Sequence, residues 1–253
     1  MILRGGYTND GKVLRVGDTV RRPWRDTSPA TAALLQHLET AGFEGAPRFL
    51  GRDEDGREVL SYVRGEAAIE PHQPWALTDE ALASVARLLR GFHDAVASFD
   101  PAPYDWPQAV PEPFRAGTIS HNDPNLDNVV FVDGRAVALI DFDLASPGSA
   151  VWDVACAGRL WAPLRDPADR PHARPLERLR LFLDAYALPA DDRGRVIDAM
   201  VEAHAWCYRI VRGALRNGHE PFERMWRGGG EAKAQRTRAW LLAHETEMRN
   251  AVS

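Results

Sequence analysis

One segment, residues 118–143, restricts what this chain can fold into more than any other. It reads TISHNDPNLDNVVFVDGRAVALIDFD. Two apolar stretches, 129–132 and 136–140, lie on either side of the pair Asp133-Gly134. Asp-Gly between apolar runs is a strong signal for a two-residue hairpin turn. The segment therefore predicts an antiparallel strand pair with polar residues before its first strand and after its second.

The turn also predicts which polar side chains come together. With Val132 opposite Arg135, Asn128 lies opposite Leu139 and diagonal to Asp141. Side chains alternate between faces along a strand, so Asn128 and Asp141 should share one face, roughly 7 to 8 Å apart. Two oxygen donors at that separation can share a cation.

Asp123 brings a second carboxylate from the loop before the hairpin. This loop begins at His121 and is stiffened by Pro124, so Asp123 can approach Asn128 and Asp141 from outside the sheet. Each residue alone is a common turn former. Together they form a set of hard oxygen ligands, which suits Mg²⁺ better than zinc. A functional site is therefore expected here.

The regions on either side differ in pattern. Residues 1–63 predict short strands around one helix, which begins at Ser28-Pro29 and is closed by Gly42. After Gly65 the spacing becomes helical, and Thr78 is expected to cap a long helix. Further helices are predicted over 175–188, 192–217 and 231–249.

Composition excludes several partners. The formal net charge is −5, and the arginines are scattered rather than gathered in one run, so nucleic acid is not an expected partner. No long uncharged apolar stretch predicts a membrane span, and a cytoplasmic location is expected. Cys156 and Cys207 have no CxxC partner, so they are expected to be buried and inert thiols.

The string HNDPNLDN followed by IDFD resembles the catalytic loop and metal motif of the aminoglycoside phosphotransferase and choline kinase-like family. The resemblance implies an α+β, protein-kinase-like fold with two lobes. The small N-terminal lobe, with an antiparallel sheet, would comprise residues 1–63. The larger and mostly helical C-terminal lobe would comprise residues 64–253.

The resemblance also implies site roles. The loop aspartate of the family accepts or orients the acceptor hydroxyl, which assigns this role to Asp123, with His121 beside it. Asn128 and Asp141 would bind Mg²⁺ on ATP or GTP. Asp143 is either a second metal ligand or a cap of the following turn, and both interpretations stay open.

Three more elements resemble the family. In VWDVA, Asp153 would brace the catalytic loop by accepting backbone hydrogen bonds. GGYTN resembles a phosphate loop, and LSYVRG resembles the hinge whose backbone would hold adenine. The nucleotide contacts expected from these two are Gly5, Gly6, Thr8, Asn9, Ser61, Tyr62 and Val63.

The chain departs from the family where a strand lysine normally meets the phosphates. The corresponding strand carries Arg21 and Arg22, which point to opposite faces, so only one can face the nucleotide. Arginine is acceptable because the lysine acts there as a charge. Arg21 is favoured because it follows an apolar residue. Thr31 or Ala32 stands where the helix glutamate of the family would be, so that ion pair is doubtful.

The predicted function is transfer of the γ-phosphate of ATP to a hydroxyl of a small molecule. An aminoglycoside or other antibiotic and a choline-like or sugar-like metabolite are all open, as are a monomer and a dimer. Helices after residue 163 would form the acceptor pocket. The candidate acceptor contacts are Trp206, Tyr208, His219, Glu220 and Glu223.

Other functions are possible for such a chain. The alternatives are a nucleotide-binding protein without catalysis and a metal-dependent hydrolase. A protein kinase is less expected, because Asp143 replaces the glycine of the DFG signature.

Overall fold

The computed structural model describes residues 12–69, 72–107, 110–170 and 174–253. The described chain begins with an antiparallel sheet in the strand order β1-β2-β4-β3. Gly17, with a φ of 61°, makes the turn between β1 and β2. Pro23 follows β2 and has no N–H to continue the ladder. The strands are β1 (Leu14–Val16), β2 (Thr19–Arg22), β3 (Phe49–Arg52) and β4 (Glu58–Ser61).

Helix α1 (Ser28–Thr40) connects β2 to β3, with Pro29 in its first turn. Its buried face carries Leu34, Leu35 and Leu38. Gly42, at a φ of 76°, lies just beyond the end of the helix, as expected for a residue that must adopt a left-handed backbone. The strands and the helix predicted for this region are therefore present.

Most of the remaining described chain is helical. Thr78 caps α2 as predicted, since the backbone N–H of Ala81 donates to its hydroxyl at 3.1 Å. Helix α3 was missed by the sequence reading; it is capped by Ser149, whose hydroxyl accepts from the N–H of Trp152 at 3.2 Å. The helices are α2 (Asp79–Val96), α3 (Ala150–Trp161), α4 (Pro175–Tyr186), α5 (Ala190–Arg216), α6 (Glu220–Met225), α7 (Glu231–Ala243) and α8 (Glu245–Val252).

Five short strands, one before α2 and four between α2 and α3, include the segment on which the sequence reading depended. They are β5 (Glu66–Ala67), β6 (Thr118–Ser120), β7 (Val129–Val132), β8 (Arg135–Leu139) and β9 (Ser146–Gly148). Strands β5, β7 and β8 form one small sheet, and β6 pairs with β9.

The predicted hairpin is present, but its register shifts by one residue. Val132 faces Arg135 as predicted, whereas Val129 rather than Asn128 faces Leu139. Val137 is the extra residue, since the pairing passes from Ala136 to Ala138 there. A β-bulge of this kind leaves one residue unpaired and bends the strand. The predicted position of Asn128 opposite Leu139 is therefore wrong by one residue.

One buried core runs from α1 through α2 to α3, α4 and α5. Its largest fully buried side chains include Phe92, Phe142, Trp152, Trp161 and Phe182. Because the core continues past residue 63, the lobe boundary there stays a prediction. In the described ranges, no helix has the length and apolar character needed to cross a membrane.

Candidate active site

The loop after β6 is held from below by Asp153, which lies in the first turn of α3 and is fully buried. Its carboxylate accepts the backbone N–H of His121 at 2.7 Å and that of Asn122 at 2.9 Å. Asn122 has a φ of 67°, a conformation that asparagine tolerates better than most residues. Asp153 thus makes the backbone contacts that the sequence predicts.

A third donor to Asp153 was not predicted. Nε2 of His93, on α2, lies 3.0 Å from the carboxylate, and Nδ1 lies 2.7 Å from the hydroxyl of Tyr186 on α4. Burial acts to raise the pKa of Asp153, but the hydrogen bond and the charge of His93 outweigh it, so the pKa is lowered. The only sequence signal for His93 was a polar residue on the apolar face of α2.

His121 is fully buried, so it does not reach a substrate. The N–H of Asp123 donates to its Nδ1 at 3.3 Å, and Nε2 lies 3.1 Å from the carbonyl of Ile140. The ring packs on Phe142 with 4.6 Å between centroids. Burial lowers the pKa of His121, which favours the neutral ring. The assignment of His121 as a catalytic residue is therefore corrected, because its contacts only position the loop.

Asp123 lies at the mouth of this loop and is held through both carboxylate oxygens. Asn125 donates to Oδ1, and Nδ2 of Asn128 donates to Oδ2 at 2.9 Å. Burial, followed by the charges of Asp141 and Asp127, raises the pKa of Asp123 to about 7. A carboxylate tuned close to neutral pH is suited to accept a proton.

Asp141 follows β8, and its charge acts on the carboxylate of Asp123. Its Oδ1 is buried and has no hydrogen-bond partner in the described structure. Burial, followed by the charge of Asp143, raises the pKa of Asp141 to about 6. Two neighbouring carboxylates and a buried oxygen that accepts no hydrogen bond favour a cation at this position.

The donor set fits Mg²⁺. Nδ2 of Asn128 is committed to the side chain and the carbonyl of Asp123, both at 2.9 Å, so its Oδ1 is left for a cation. In the part of the chain that the structure describes, no three His, Cys, Asp or Glu side chains form a metal cluster of their own. Mg²⁺ needs no such cluster, because it is commonly held by one or two protein oxygens together with substrate phosphates and water.

Arg22, and not Arg21, points at the acidic residues. Its Nη1 lies 2.6 Å from Asp143 and 3.6 Å from Asp141, and its Nε donates to Glu58 on β4. Arg21 pairs with Asp53 instead, at 3.6 Å. The structure therefore favours Arg22 over Arg21 as the arginine of this site, because Arg22 faces Glu58 across the ladder.

Glu58 is the acidic partner that the sequence reading sought on α1. It is fully buried and precedes two apolar residues in its strand, and this pattern was the signal that could have revealed it. Thr31, on α1, is buried as well and supplies no charge. Asp143 is also 3.5 Å from Arg25, so its carboxylate is engaged by arginines. Its role as a second metal ligand stays a prediction.

Two backbone N–H groups of the predicted hinge already form hydrogen bonds within the N-terminal region. The N–H of Ser61 donates to the carbonyl of Arg48, and that of Tyr62 donates to the carbonyl of Asp18, both at 2.9 Å. These bonds leave the backbone of Val63, among the three hinge residues, for a nucleotide base. The predicted phosphate-loop residues Gly5, Gly6, Thr8 and Asn9 lie outside the described residues.

The predicted acceptor contacts do not form one group. Trp206 is only 3% exposed and packs edge-on against Trp152, so it belongs to the core. The ring of His219 contacts that of Phe222 at a tilt, with 5.0 Å between centroids. Glu220 and Glu223 pair with arginines one helical turn further on, at 3.6 and 3.3 Å. Tyr208 is linked electrostatically to the region of Asp123.

That link runs through Arg159, which the sequence reading missed. Arg159 lies in the last turn of α3, and its Nη2 donates to Sγ of Cys207 at 2.8 Å. Its charge acts on both Tyr208 and Asp123. Cys156 and Cys207 are both free, Cys156 being buried and Cys207 half-buried.

Comparison with known proteins agrees with this geometry. A family model described as "Phosphotransferase enzyme family" matches residues 104–195, which include the catalytic loop and Asp153. The trifolitoxin immunity protein of Rhizobium leguminosarum bv. trifolii is 33% identical, over 98% of this chain and 97% of that protein. A homoserine kinase of Rhodopseudomonas palustris is 31% identical, over 59% of this chain and 47% of that protein.

The fold is shared with a solved structure. A choline/ethanolamine kinase family protein from Mesorhizobium loti superposes with a TM-score of 0.64 at 16% identity, covering 94% of this chain and 89% of that one. This similarity confirms the α+β, protein-kinase-like fold. The chain belongs to the phosphotransferase enzyme family and is a small-molecule kinase.

Proposed function

We propose that the protein transfers the γ-phosphate of ATP to a hydroxyl of a small molecule, with Asp123 as the group that orients this hydroxyl and accepts its proton. The observation that carries the proposal is the convergence of Asp123, Asn128 and Asp141. Asn128 donates to Asp123 at 2.9 Å, and the charge of Asp141 acts on the same carboxylate.

The hydrogen bonds around Asp123 fit this role. Asn125 and Asn128 each occupy one carboxylate oxygen. Each oxygen accepts more than one hydrogen bond, so the carboxylate can still receive a hydroxyl hydrogen while its orientation stays fixed. Its pKa of about 7 lets it accept a proton during transfer without being protonated throughout.

The nucleotide would lie between the sheet of β1 to β4 and the loop that carries Asp123. Asn128 and Asp141 would hold Mg²⁺, which when bound neutralises charge on the phosphates. Arg22, fixed by Glu58, is the proposed positive charge for the α- and β-phosphates in place of a lysine. Val63 is the proposed adenine contact, and residues 5–9 are proposed to cover the phosphates. GTP would satisfy the same contacts.

The acceptor classes that fit are a hydroxylated antibiotic and a hydroxylated metabolite. The full-length relative is named for immunity to trifolitoxin, and the partial relatives are named as homoserine kinases. We therefore include peptide antibiotics and hydroxy amino acids beside aminoglycosides, choline and sugar alcohols as acceptors to test.

The deciding experiment compares wild type with Asp123→Asn. Acceptor-dependent ADP release is measured with the panel above, and the phosphorylated product is identified by mass spectrometry. We expect Asp123→Asn to lower kcat by about 100-fold to 10,000-fold while the Kd for Mg·ATP changes little, because the carboxylate acts on the acceptor. Asp133→Asn is the matched control, since Asp133 is exposed in the hairpin turn and asparagine tolerates its φ of 50°.

Two results would contradict the proposal. Turnover close to wild type in Asp123→Asn would remove the carboxylate from the reaction. Tight binding of Mg·ATP without product from any acceptor would favour the alternative of a nucleotide-binding protein without catalysis.

A further inference from the structure

Arg159 is a largely buried cation whose hydrogen-bonding capacity is mostly unused. Its Nη2 donates to the thiol sulfur of Cys207, which is a weak acceptor, and its Nε is buried with no partner in the described structure. No ion pair links Arg159 to a carboxylate in the described part of the chain. An unpaired buried charge is costly, so its presence requires a compensating anion or a function.

The position of Arg159 relative to Asp123 indicates which function. Burial is the main cause of the raised pKa of Asp123, and the charge of Arg159 acts in the opposite direction on that carboxyl. The charge of Arg159 also acts on Cys207 and Tyr208, which are consecutive residues on α5. Trp161, in the same turn of α3 as Arg159, donates to the carbonyl of Pro124 next to Asp123 at 2.9 Å, so the guanidinium lies between the catalytic loop and α5.

One acidic residue that acts on Tyr208 is already paired. Asp169 acts on Tyr208, but both of its oxygens accept from Arg236 at 2.8 Å. A cationic acceptor group beside Cys207 and Tyr208 would meet the like charge of Arg159. An anionic group would find a guanidinium with an unused N–H.

We propose that the acceptor carries a carboxylate near the hydroxyl that is phosphorylated, and that Arg159 binds this carboxylate. The inference rests on the proposed function, because Asp123 marks the position of the hydroxyl. Arg159 and Cys207 are both partly exposed, so a ligand can reach them. Guanidinium and carboxylate match in geometry and form charge-assisted hydrogen bonds, which are stronger than neutral ones.

The first test measures binding with matched pairs of hydroxyl compounds that differ only in the carboxylate. The pairs are γ-hydroxybutyrate and γ-hydroxybutyramide, L-homoserine and its amide, and L-seryl-glycine and its C-terminal amide. Each is titrated by calorimetry into protein loaded with Mg²⁺ and a non-hydrolysable ATP analogue. We expect the carboxylate of at least one pair to bind about 10-fold to 100-fold more tightly than its amide.

Variants assign this preference to one side chain. Arg159→Gln should remove the preference, and Arg159→Lys should keep part of it, since lysine retains the charge but not the fork geometry. Arg209→Gln is the control, because Arg209 is an exposed arginine two residues after Cys207. There the preference should stay within about twofold of wild type.

A measurement on the wild-type protein covers the case in which Arg159→Gln does not fold. The arginine Nε–H signals are followed by NMR during the same titrations. The signal of Arg159, assigned with Arg159→Lys, should shift with a carboxylate and not with its amide. Equal binding of carboxylate and amide in every pair, or a preference that persists in Arg159→Gln, would overturn the inference. Absence of binding in all pairs would overturn it as well.

Failure of this inference differs from failure of the proposed function. Suppose that phosphate transfer depends on Asp123, uses a neutral or cationic acceptor and is unaffected by Arg159→Gln. This result would overturn carboxylate recognition by Arg159 and leave the proposed kinase activity intact. Carboxylate binding through Arg159 without phosphate transfer to any acceptor would overturn the proposed kinase activity and leave the carboxylate site intact.

Discussion

The guanidinium of Arg22 lies among three carboxylates, from Glu58, Asp143 and Asp141, and is nearly withdrawn from water. A cluster of this kind costs desolvation energy that its internal attraction only partly offsets. It is therefore weak support for stability and stronger support for a role in binding, because a fixed positive charge here is ready to meet a phosphate.

We predict that Arg22→Met lowers kcat/KM for ATP by about 30-fold to 1000-fold, as expected when a fixed charge is removed from a dry site. The same change should destabilise the fold by about 3 kcal/mol, because Glu58 is left buried and unpaired. Steady-state kinetics with ATP varied and urea unfolding measure the two effects.

A double variant separates the two effects. Arg22→Met with Glu58→Met should recover part of the lost stability and none of the lost activity. Arg21→Met is the control and should cost under about 1 kcal/mol, since its pair with Asp53 is partly exposed. Equal small losses in Arg21→Met and Arg22→Met would show that the phosphate charge comes from elsewhere.

The orientation of Arg22 also shows what single residues reveal in a sequence. Alternation along a strand predicts that only one of the two arginines can face the proposed nucleotide site. It did not decide which one, because the answer depends on Glu58 from a strand 36 positions further on. The sequence did not predict Arg159 and His93 as residues of the site for the same reason. Their partners are distant in sequence, and neither residue belongs to a local motif.

At the level of elements, the catalytic loop is fixed by a buried chain of hydrogen bonds from three helices. Asp153 on α3 holds the loop backbone, His93 on α2 holds Asp153, and Tyr186 on α4 holds His93. The loop is therefore positioned by the helical core and not only by the strand that precedes it.

We predict that Asp153→Asn destabilises the protein by about 2 to 4 kcal/mol, since an amide group would confront backbone N–H donors without water. The value of kcat should fall about tenfold or more because Asp123 moves with the loop. The Kd for Mg·ATP should change less than kcat. Tyr186→Phe removes only the outermost hydrogen bond and should cost under about 1.5 kcal/mol. A wild-type kcat in Asp153→Asn would contradict the bracing role.

Helices α5 and α7 are joined by His204, whose Nε2 lies 3.0 Å from the carbonyl of Ala234. Burial, followed by the charge of Arg159, lowers the pKa of His204 to about 4. In the unfolded chain His204 is therefore protonated below pH ~6.5, whereas in the folded chain it stays neutral down to about pH 4. Stability should fall as the pH decreases across this window.

The measurement compares wild type with His204→Leu by urea unfolding at pH 7.5 and at pH 5. The stability of wild type relative to the variant should fall by about 2 kcal/mol between these values. The comparison is needed because Asp123 and Asp141, with raised pKa values, change stability in the opposite direction over the same range. A difference that does not vary with pH would show that His204 is protonated equally in both states.

The hairpin shows which parts of an element can be read locally. Asp133-Gly134 determined the turn, and the pairing next to it is as predicted. The bulge at Val137 was not predictable, because nothing in the local pattern distinguishes an unpaired valine from a paired one. The carbonyl of Asn128 consequently accepts the N–H of Ile140, at 2.9 Å.

At the scale of the whole molecule, the switch from strand spacing to helical spacing after residue 63 predicted strands followed by helices, because each element carries its own pattern. The family resemblance implied the α+β, kinase-like architecture. How the elements share one continuous core was not readable, since packing joins α1 to α5 across most of the sequence.

Binding of nucleotide should stabilise the molecule as a whole. At 100 times its Kd, Mg·ATP is expected to add about 2.7 kcal/mol to the free energy of unfolding. Asp141→Ala should lose this gain when Mg²⁺ is present, since Asp141 is the proposed cation ligand. Thermal unfolding with ATP, with and without Mg²⁺, measures the effect, and Asp133→Asn is the control. An unchanged Mg²⁺-dependent rise of Tm in Asp141→Ala would exclude Asp141 as the ligand.

The bulge in β8 has a consequence for how this sequence can change over time. Val137 is exposed and unpaired, so its identity is nearly free. A residue must nevertheless be present at this position, because removal of one residue there would restore regular pairing and displace Asp141 by one position. Neutral drift at this strand can therefore replace residues but cannot shorten it, and chain length between Gly134 and Asp141 should be kept where side chains are not.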